Sequence, residues 1–237
     1  MGFFINIQTY TVTEAISTTF GWGMIPVAVV YTILLFIMIS GGLKRIGDWC
    51  SVMVPVMCVF YLAGGLFIIF KNIDVLPAVI ESIFVNAFTP TAAFGGFAGA
   101  SVSLAMTTGF ARSVYSNEAG WGTSPMIHAS AKVDHPIKEG LVGVFEVFTS
   151  TFIICTITAL AVLVTGLWST GIDGANLTLT AFESELGMFG RIVIAISVFL
   201  FGITTASGIY VQSEAIFNHV IKNPKTVKVV INAYRFL

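Results

Sequence analysis

Arg112 and Glu118 are charged residues set in one of the most apolar regions of the chain, within the stretch RSVYSNEAGWGTSP at 112–125. A charge in a membrane interior costs about 2.5–3.5 kcal/mol on insertion scales, so it should face protein or water and have a partner. The two residues are six apart, about 240° around a helix, so they can pair only if the helix is interrupted. The threonines and glycine at 107–109 offer such an interruption. Unwound helix centres bind ions and charged ends of substrates; the alternative is a polar contact between helices, with Arg112 reaching towards the inner surface.

A second polar pair lies in the segment GITTASG, where Thr204 and Thr205 are adjacent. Neutral hydroxyl oxygens are hard ligands of the kind a small cation such as Na⁺ prefers. Threonines in membrane helices also bond to their own carbonyl four residues earlier, and small residues let helices pack closely. Glu146 has two interpretations as well, a solvated or paired carboxylate at the interface or a group that couples ion and substrate. The residue types do not decide between the two interpretations of the threonine pair, or between the two interpretations of Glu146.

Other chemistry finds little support in the sequence. His128, His135 and His219 are far apart and form neither a metal cluster nor a catalytic triad, and the three cysteines lack metal-binding spacing. The net charge of −1 gives no basic surface for nucleic acid. We therefore expect no enzyme active site, no cofactor and no nucleic-acid partner.

Composition predicts that these residues are positioned by membrane-spanning helices. The 237-residue chain is 56% hydrophobic and 10% charged, whereas soluble domains carry about 25% charged residues. Long charge-free stretches exceed the roughly 20 residues that a helix needs to cross a bilayer. Unbroken apolar runs favour helices over a β-barrel. We predict one all-α transmembrane domain, a fragment covering residues 1–237, with five spans at about 21–42, 51–70, 91–120, 140–165 and 189–212.

Basic residues predict the orientation of these spans, because loops rich in lysine and arginine stay in the cytoplasm. The loops after spans one, three and five contain most of them: Lys44, Arg45, Lys132, Lys138, Lys222, Lys225, Lys228 and Arg235. These loops are therefore predicted to be cytoplasmic in a multi-pass protein of the plasma membrane. Residues 76–88, with Pro77 in the first turn, predict a short helix at the outer surface.

The stretch GFARSVYSNEAGWGTSPMIHASAKVDHPIKEGLVGVFEVF, followed by CTITALAVLVTGLW, resembles the sodium:alanine (alanine/glycine:cation) symporter family. The similarity extends over nearly the whole chain, including GGLKRI, VPVMCVFY and FTPTAAFGGFAG. It implies a leucine-transporter-like fold of two inverted five-helix repeats, of which this chain would supply about core helices three to eight. The third predicted span would then be a helix broken at its centre.

The resemblance also implies roles for particular residues. Thr204 and Thr205 would bind sodium. Arg112, Asn117 and Glu118 would be polar residues of the gate. Departures from the family pattern include Ile209, where a tryptophan is usual. Contacts to the amino acid would come from Gln8, Thr107, Thr108, Gly109, Phe110 and Ile209.

The expected function is symport of Na⁺ and a small neutral amino acid, alanine or glycine, across the cytoplasmic membrane by alternating access, within a longer transporter. The coupling ion could be Na⁺ or H⁺, and the sequence predicts no oligomeric state. The alternative is a truncated gene remnant or fragment without transport activity of its own, because core helices that supply half of both sites lie outside this chain.

Overall fold

A computed structural model describes residues 2–88, 98–118 and 120–235, with side chains described for residues 5–85, 106–118 and 120–235. Within these ranges every regular element is helical. A π-helical segment lies at Phe148–Ile154 and a short 3₁₀ turn at Leu167–Ser169. The α-helices are α1 Gly2–Phe20, α2 Met24–Ser40, α3 Gly42–Lys71, α4 Leu76–Phe88, α5 Ala98–Asn117, α6 Thr123–His128, α7 Pro136–Val147, α8 Cys155–Val164, α9 Gly174–Val220 and α10 Pro224–Tyr234.

Three helices in the described part of the chain are long and apolar enough to cross a membrane. They are Gly42–Lys71, Gly174–Val220 and Pro136–Val164, the last comprising α7, the π-helical segment and α8. Met24–Ser40 and Leu76–Val85 are shorter apolar helices. Helices therefore lie where the sequence predicts spans one, two, four and five and the surface helix. The third predicted span, 91–120, contains α5, but residues 89–97 and 119 lie outside the described part. The crossing of the membrane by these helices, in this order, stays a prediction.

The chain forms two compact units. The first unit comprises residues 1–64 and 167–237, and so contains α1, α2, α9 and α10. The second unit comprises residues 65–166 and contains α4 to α8. Helix α3 contributes residues to both, because the boundary follows Gly64.

In the first unit, α1 packs antiparallel to α9. Near the end of α1, the Thr18 hydroxyl donates to Asn176 Oδ1 at 3.1 Å, and Arg191 Nη2 donates to the Thr18 carbonyl at 3.1 Å. Six residues earlier, Val12 meets α9 at Gly202, where the absence of a side chain lets the helices approach closely. A buried cluster follows this contact: Val12, Tyr31, Leu35, Met38, Ile39, Ile46, Ile203, Ala206, Tyr210, Val227 and Ile231.

Helix α9 is kinked at Gly187, where φ is 65° and ψ is −161°. This backbone conformation is essentially restricted to glycine. Arg191 Nη1 donates to Glu183 Oε2 across the kink. Residues 174–186 and 188–220 are therefore two helical segments, and the second begins one residue before the predicted start of the fifth span at 189.

In the second unit, α5 packs against the π-helical segment. Next to this contact, Ser116 Oγ lies 3.3 Å from Sγ of Cys155, the first residue of α8. The segment contains three consecutive hydroxyl residues, Thr149, Ser150 and Thr151. Such side chains compete with the backbone for hydrogen bonds, and the Ser150 hydroxyl donates to the Val147 carbonyl at 3.3 Å. The sequence predicted one continuous span here, without the change of helix type.

Candidate functional site

Thr204 and Thr205 lie on α9 in the first unit, two and three residues after Gly202. Thr204 is half-buried, and its hydroxyl donates to the Leu200 carbonyl at 2.9 Å and to the Phe201 carbonyl at 3.1 Å. Thr205 is exposed. The back-bonding that the sequence left open is thus present at Thr204. A hydroxyl that donates its proton still keeps oxygen lone pairs, so Thr204 remains able to ligate a cation.

Gln8 and Ile209 lie on the sides of α1 and α9 that face each other. Gln8 is half-buried and precedes Val12 by about one turn, whereas Ile209 is half-buried and follows Gly202 by about two turns. Thr204 is about 200° around α9 from Gly202, so it projects from the side opposite α1. By helical periodicity, Gln8 therefore lies on the side of α1 that carries Val12, Ile209 lies on the side of α9 that carries Gly202, and Thr204 lies on the opposite side of α9.

Residues 107–110 lie on α5 in the second unit, with exposed side chains at Thr107, Thr108 and Phe110. The prediction of an unwound centre at 107–109 is wrong for this structure, because α5 is continuous from Ala98 to Asn117. A single internal glycine costs a helix about 1 kcal/mol relative to alanine, so Gly109 alone does not interrupt it. The glycine-rich segment FGGFAG predicted at the start of this span lies mainly outside the described residues.

The chain leaves the helix later, between Glu118 and Gly122. Glu118 adopts a φ of 55°, and Gly120 and Gly122 have φ values of 79° and 74°. Glycine adopts this left-handed conformation without the steric cost of a side chain. The two glycines therefore allow the turn that separates α5 from α6.

The predicted gate residues flank this turn. Arg112 is exposed on α5, and in the described part of the chain it forms no ion pair with Glu118. Asn117 is half-buried at the end of α5. The Glu118 carboxylate instead accepts a hydrogen bond from the Thr123 hydroxyl in the first turn of α6. Glu118 thus stabilises the turn, and the roles of Arg112, Asn117 and Glu118 in gating stay predictions.

A cluster that the sequence analysis did not predict lies between α6 and α7. His128 Nδ1 lies 2.6 Å from Glu139 Oε1, and His128 Nε2 lies 2.9 Å from Glu146 Oε2. The hydrogen bond with Glu139 raises the pKa of His128 above its usual range, burial of the ring opposes this, and Glu146 raises the pKa further. Glu146 is therefore a paired carboxylate. The seven-residue spacing of the glutamates was the available signal, because it places both on one face of a helix.

Two hydroxyl groups of the π-helical segment are also notable. Thr149 Oγ1 and Thr151 Oγ1 are buried and have no hydrogen-bond partner among the described residues. A buried hydroxyl without a partner is destabilising by about 1–3 kcal/mol.

Comparison with known proteins identifies the class of protein. The family model described as "Sodium:alanine symporter family" matches residues 1–237. The chain is 36% identical over 240 residues to the protein named Uncharacterized transporter YflA of Bacillus subtilis (strain 168), covering 97% of this chain and 51% of YflA. It is 35% identical to the Sodium/alanine symporter AgcS of Methanococcus maripaludis, covering 91% of this chain and 47% of AgcS. It is 33% identical to the Sodium/proton-dependent alanine carrier protein of Bacillus sp. (strain PS3), covering 93% of this chain and 52% of that protein.

The chain spans about half the length of the curated relatives it matches. The family and these relatives are transporters and not enzymes, and the long apolar helices fit a multi-pass membrane protein. The family resemblance deduced from the sequence is confirmed, since the match covers all 237 residues. The chain belongs to the sodium:alanine symporter family.

Proposed function

We propose that this chain is part of a transporter that carries Na⁺ together with a small neutral amino acid, alanine or glycine, across the cytoplasmic membrane by alternating access. The observation that carries the proposal is the family match over residues 1–237. The names of two relatives support it, because they specify sodium and alanine, and one of them adds protons as a coupling ion. Transport of this kind needs binding and conformational change, without covalent chemistry.

For the first unit, we propose that Thr204 and Thr205 supply oxygen ligands to Na⁺. The support is the adjacent hydroxyl pair on the apolar helix α9, together with the lone pairs that Thr204 retains while it donates to Leu200 and Phe201. Gln8 and Ile209, at the α1–α9 interface, are proposed as contacts to the amino acid. Both proposals agree with a leucine-transporter-like fold, in which this chain supplies about core helices three to eight.

For the second unit, we propose that the exposed residues 107–110 of α5 contact substrate and that the Arg112–Glu118 region belongs to the cytoplasmic gate. The cytoplasmic position follows from the basic loops after predicted spans one, three and five. Arg112 is exposed on α5, and an unpaired charge is unfavourable in lipid. A water-filled path or a partner formed during gating would satisfy its charge.

The test is uptake in proteoliposomes, measured for the full-length transporter of which this chain is proposed to be part and for the 237-residue chain alone. With an inward Na⁺ gradient, radiolabelled alanine should accumulate inside, and it should not accumulate when K⁺ replaces Na⁺. An inward H⁺ gradient applied alone distinguishes proton coupling. Absence of accumulation with the full-length protein under both gradients would contradict the proposal, whereas accumulation with the full-length protein alone would show that the 237-residue chain has no transport activity of its own.

The assignment of residues needs a transporter with measurable uptake. In a full-length relative such as the Methanococcus symporter, the substitution matching Thr204→Val should raise the Na⁺ concentration required for half-maximal uptake. The substitution matching Thr204→Ser keeps the hydroxyl and is the control. Equal Na⁺ dependence of the two variants would contradict the sodium site. Unchanged uptake in variants matching both Arg112→Ala and Glu118→Gln would contradict the gate.

A further inference from the structure

One face of α7 presents two carboxylates to His128, the last residue of α6. Glu139 and Glu146 are seven residues apart, about two helical turns, so they project from the same side of α7. Gly143 lies between them, and a Cβ atom built at Gly143 would lie 3.7 Å from His128 Nε2. This is an ordinary contact distance, so the ring lies directly against α7 at Gly143. The cluster borders an open cleft of about 630 Å³ that is also lined by Ser124 and Pro125.

The two contacts of the ring require an extra proton. A neutral imidazole has one N–H donor and one nitrogen that can only accept, and an ionised carboxylate can only accept. With carboxylate oxygens 2.6 Å and 2.9 Å from the two ring nitrogens, one contact would place two acceptors against each other. Both contacts are favourable when the ring is an imidazolium, or when one glutamate is protonated beside a neutral ring. Each arrangement holds one proton more than a neutral histidine and two carboxylates.

We propose that His128, Glu139 and Glu146 form a proton-binding site that joins α6 to α7. The side chains of His128 and Glu139 are 22% and 19% exposed, so this contact is partly shielded from water, whereas Glu146 is 58% exposed. Within the described residues, these three groups are not arranged to hold a metal ion. Each ring nitrogen of His128 is in direct contact with a glutamate oxygen, which leaves no space for a metal ion between them.

The charged groups around His128 favour the bound proton. Glu139 and Glu146 of α7 both face the ring. In the loop between the helices, Asp134 is paired with Lys138 at 2.8 Å, so that carboxylate is already neutralised. His135 has a different role, because its Nδ1 accepts a hydrogen bond from the Ile137 amide at 3.2 Å and caps α7.

The direction of the pH effect follows from these contacts. The hydrogen bond with Glu139 is the largest cause that raises the pKa of His128, so the proton is retained to a higher pH than on an isolated histidine. The stabilisation is complete below about pH 6.5, the ordinary pKa of histidine, and is lost as the pH rises through the raised value. Loss of the proton leaves two carboxylates against one donor. The connection between α6 and α7 then weakens.

The test is a pH titration of the histidine rings by NMR. The 237-residue chain would be labelled with ¹⁵N-histidine and purified in detergent micelles, with His128→Asn used to assign the signal. Both ring nitrogens of His128 should stay protonated at pH values above about 6.5, where an isolated histidine has lost its proton. Glu139→Gln, which removes the charge and keeps the shape, should lower the proton affinity of His128 by about tenfold.

Asp134→Asn is the matched control, because it removes a nearby carboxylate that does not contact the ring, and it should leave the titration of His128 unchanged. The wild-type titration alone is decisive if a variant fails to fold. A His128 that loses its proton at the pH of an isolated histidine, about 6.5, would overturn the proposal. If Asp134→Asn changed the titration of His128 as much as Glu139→Gln does, the proposal would also be overturned. The titration would then depend on the overall negative charge nearby and not on direct contact with the ring.

Discussion

Gly202→Ala tests the contact that holds α1 against α9. A methyl group at Gly202 would overlap Val12 Cγ2, and it would lie 3.4 Å from Tyr31 Oη and 3.6 Å from Val12 Cβ. Overpacking of this kind costs about 1–3 kcal/mol. Replacing a helical glycine by alanine also stabilises the helix by about 1 kcal/mol. The net change in the free energy of unfolding therefore lies between about zero and a loss of 2 kcal/mol.

Gly208→Ala separates the two contributions. Gly208 is in the same helix segment, and a Cβ there meets no atom within 4 Å. The Gly208→Ala variant should therefore gain only the stabilisation that alanine gives a helix relative to glycine. The difference between the two alanine variants, about 1–3 kcal/mol, measures the overlap with Val12. Circular dichroism during SDS denaturation of the micelle-bound chain would give both free energies.

A double variant sharpens this test. In Val12→Ala/Gly202→Ala the overlapping Cγ2 atom is absent, and the nearest remaining atom of residue 12 is the Cβ at 3.6 Å, an ordinary contact distance. The effects of the two substitutions should therefore not add, with a favourable coupling of about 0.5–3 kcal/mol. Equal stability of Gly202→Ala and Gly208→Ala, together with additive effects in the double variant, would refute the α1–α9 packing at this point.

Three further predictions concern backbone strain, an unpartnered hydroxyl and pH. Gly187→Ala should destabilise the chain by about 1–3 kcal/mol in the same denaturation assay, because a side chain is strained at this φ although the surrounding space is open; equal stability would show that the kink is absent. Thr151→Val should leave stability unchanged or raise it by about 1 kcal/mol, since the lost hydroxyl has no partner among the described residues; a clear loss would reveal a partner. The thermal midpoint should fall as the pH rises from about 6.5 through the raised pKa of His128, because the contacts with Glu139 and Glu146 lose their proton. His128→Asn should flatten that dependence, and an unchanged slope would contradict it.

Helix positions were largely predictable, because they follow from local composition. The predicted surface helix at 76–88 coincides with Leu76–Phe88, and α3 includes the whole of the predicted second span. The start of the fifth predicted span at 189 lies beside the kink at Gly187. Long apolar runs and nearby charges are properties of neighbouring residues, so they can be recognised in the sequence.

Departures from regular helix were harder to predict. The threonines and glycine at 107–109 suggested an unwound centre, but the helix continues through them and ends at Asn117, before the positive φ of Glu118. A lone glycine weakens a helix without breaking it, whereas two glycines in left-handed conformation make a turn. The π-helical segment at 148–154 has no local signal beyond its hydroxyl residues.

The residues of the candidate sites were also only partly predictable from the sequence. The adjacent hydroxyls of Thr204 and Thr205 were visible in the sequence, but the side of α9 that carries each of them depends on which face packs against α1. The contacts of His128 join residues 11 and 18 positions apart through a turn between two helices. Separate histidines and glutamates therefore gave no indication of a shared proton.

The antiparallel pairing of α1 and α9 has a consequence for biosynthesis. Val12 and Gly202 are about 190 positions apart, so at about 5–20 residues per second the ribosome needs roughly 10–40 s to deliver the second helix after the first. During that interval the Val12 side chain of α1, which is buried in the folded chain, lacks the helix that later packs against it. The first unit can therefore be completed only after the whole second unit has been synthesised. Until then, the insertion machinery or a chaperone would have to protect α1.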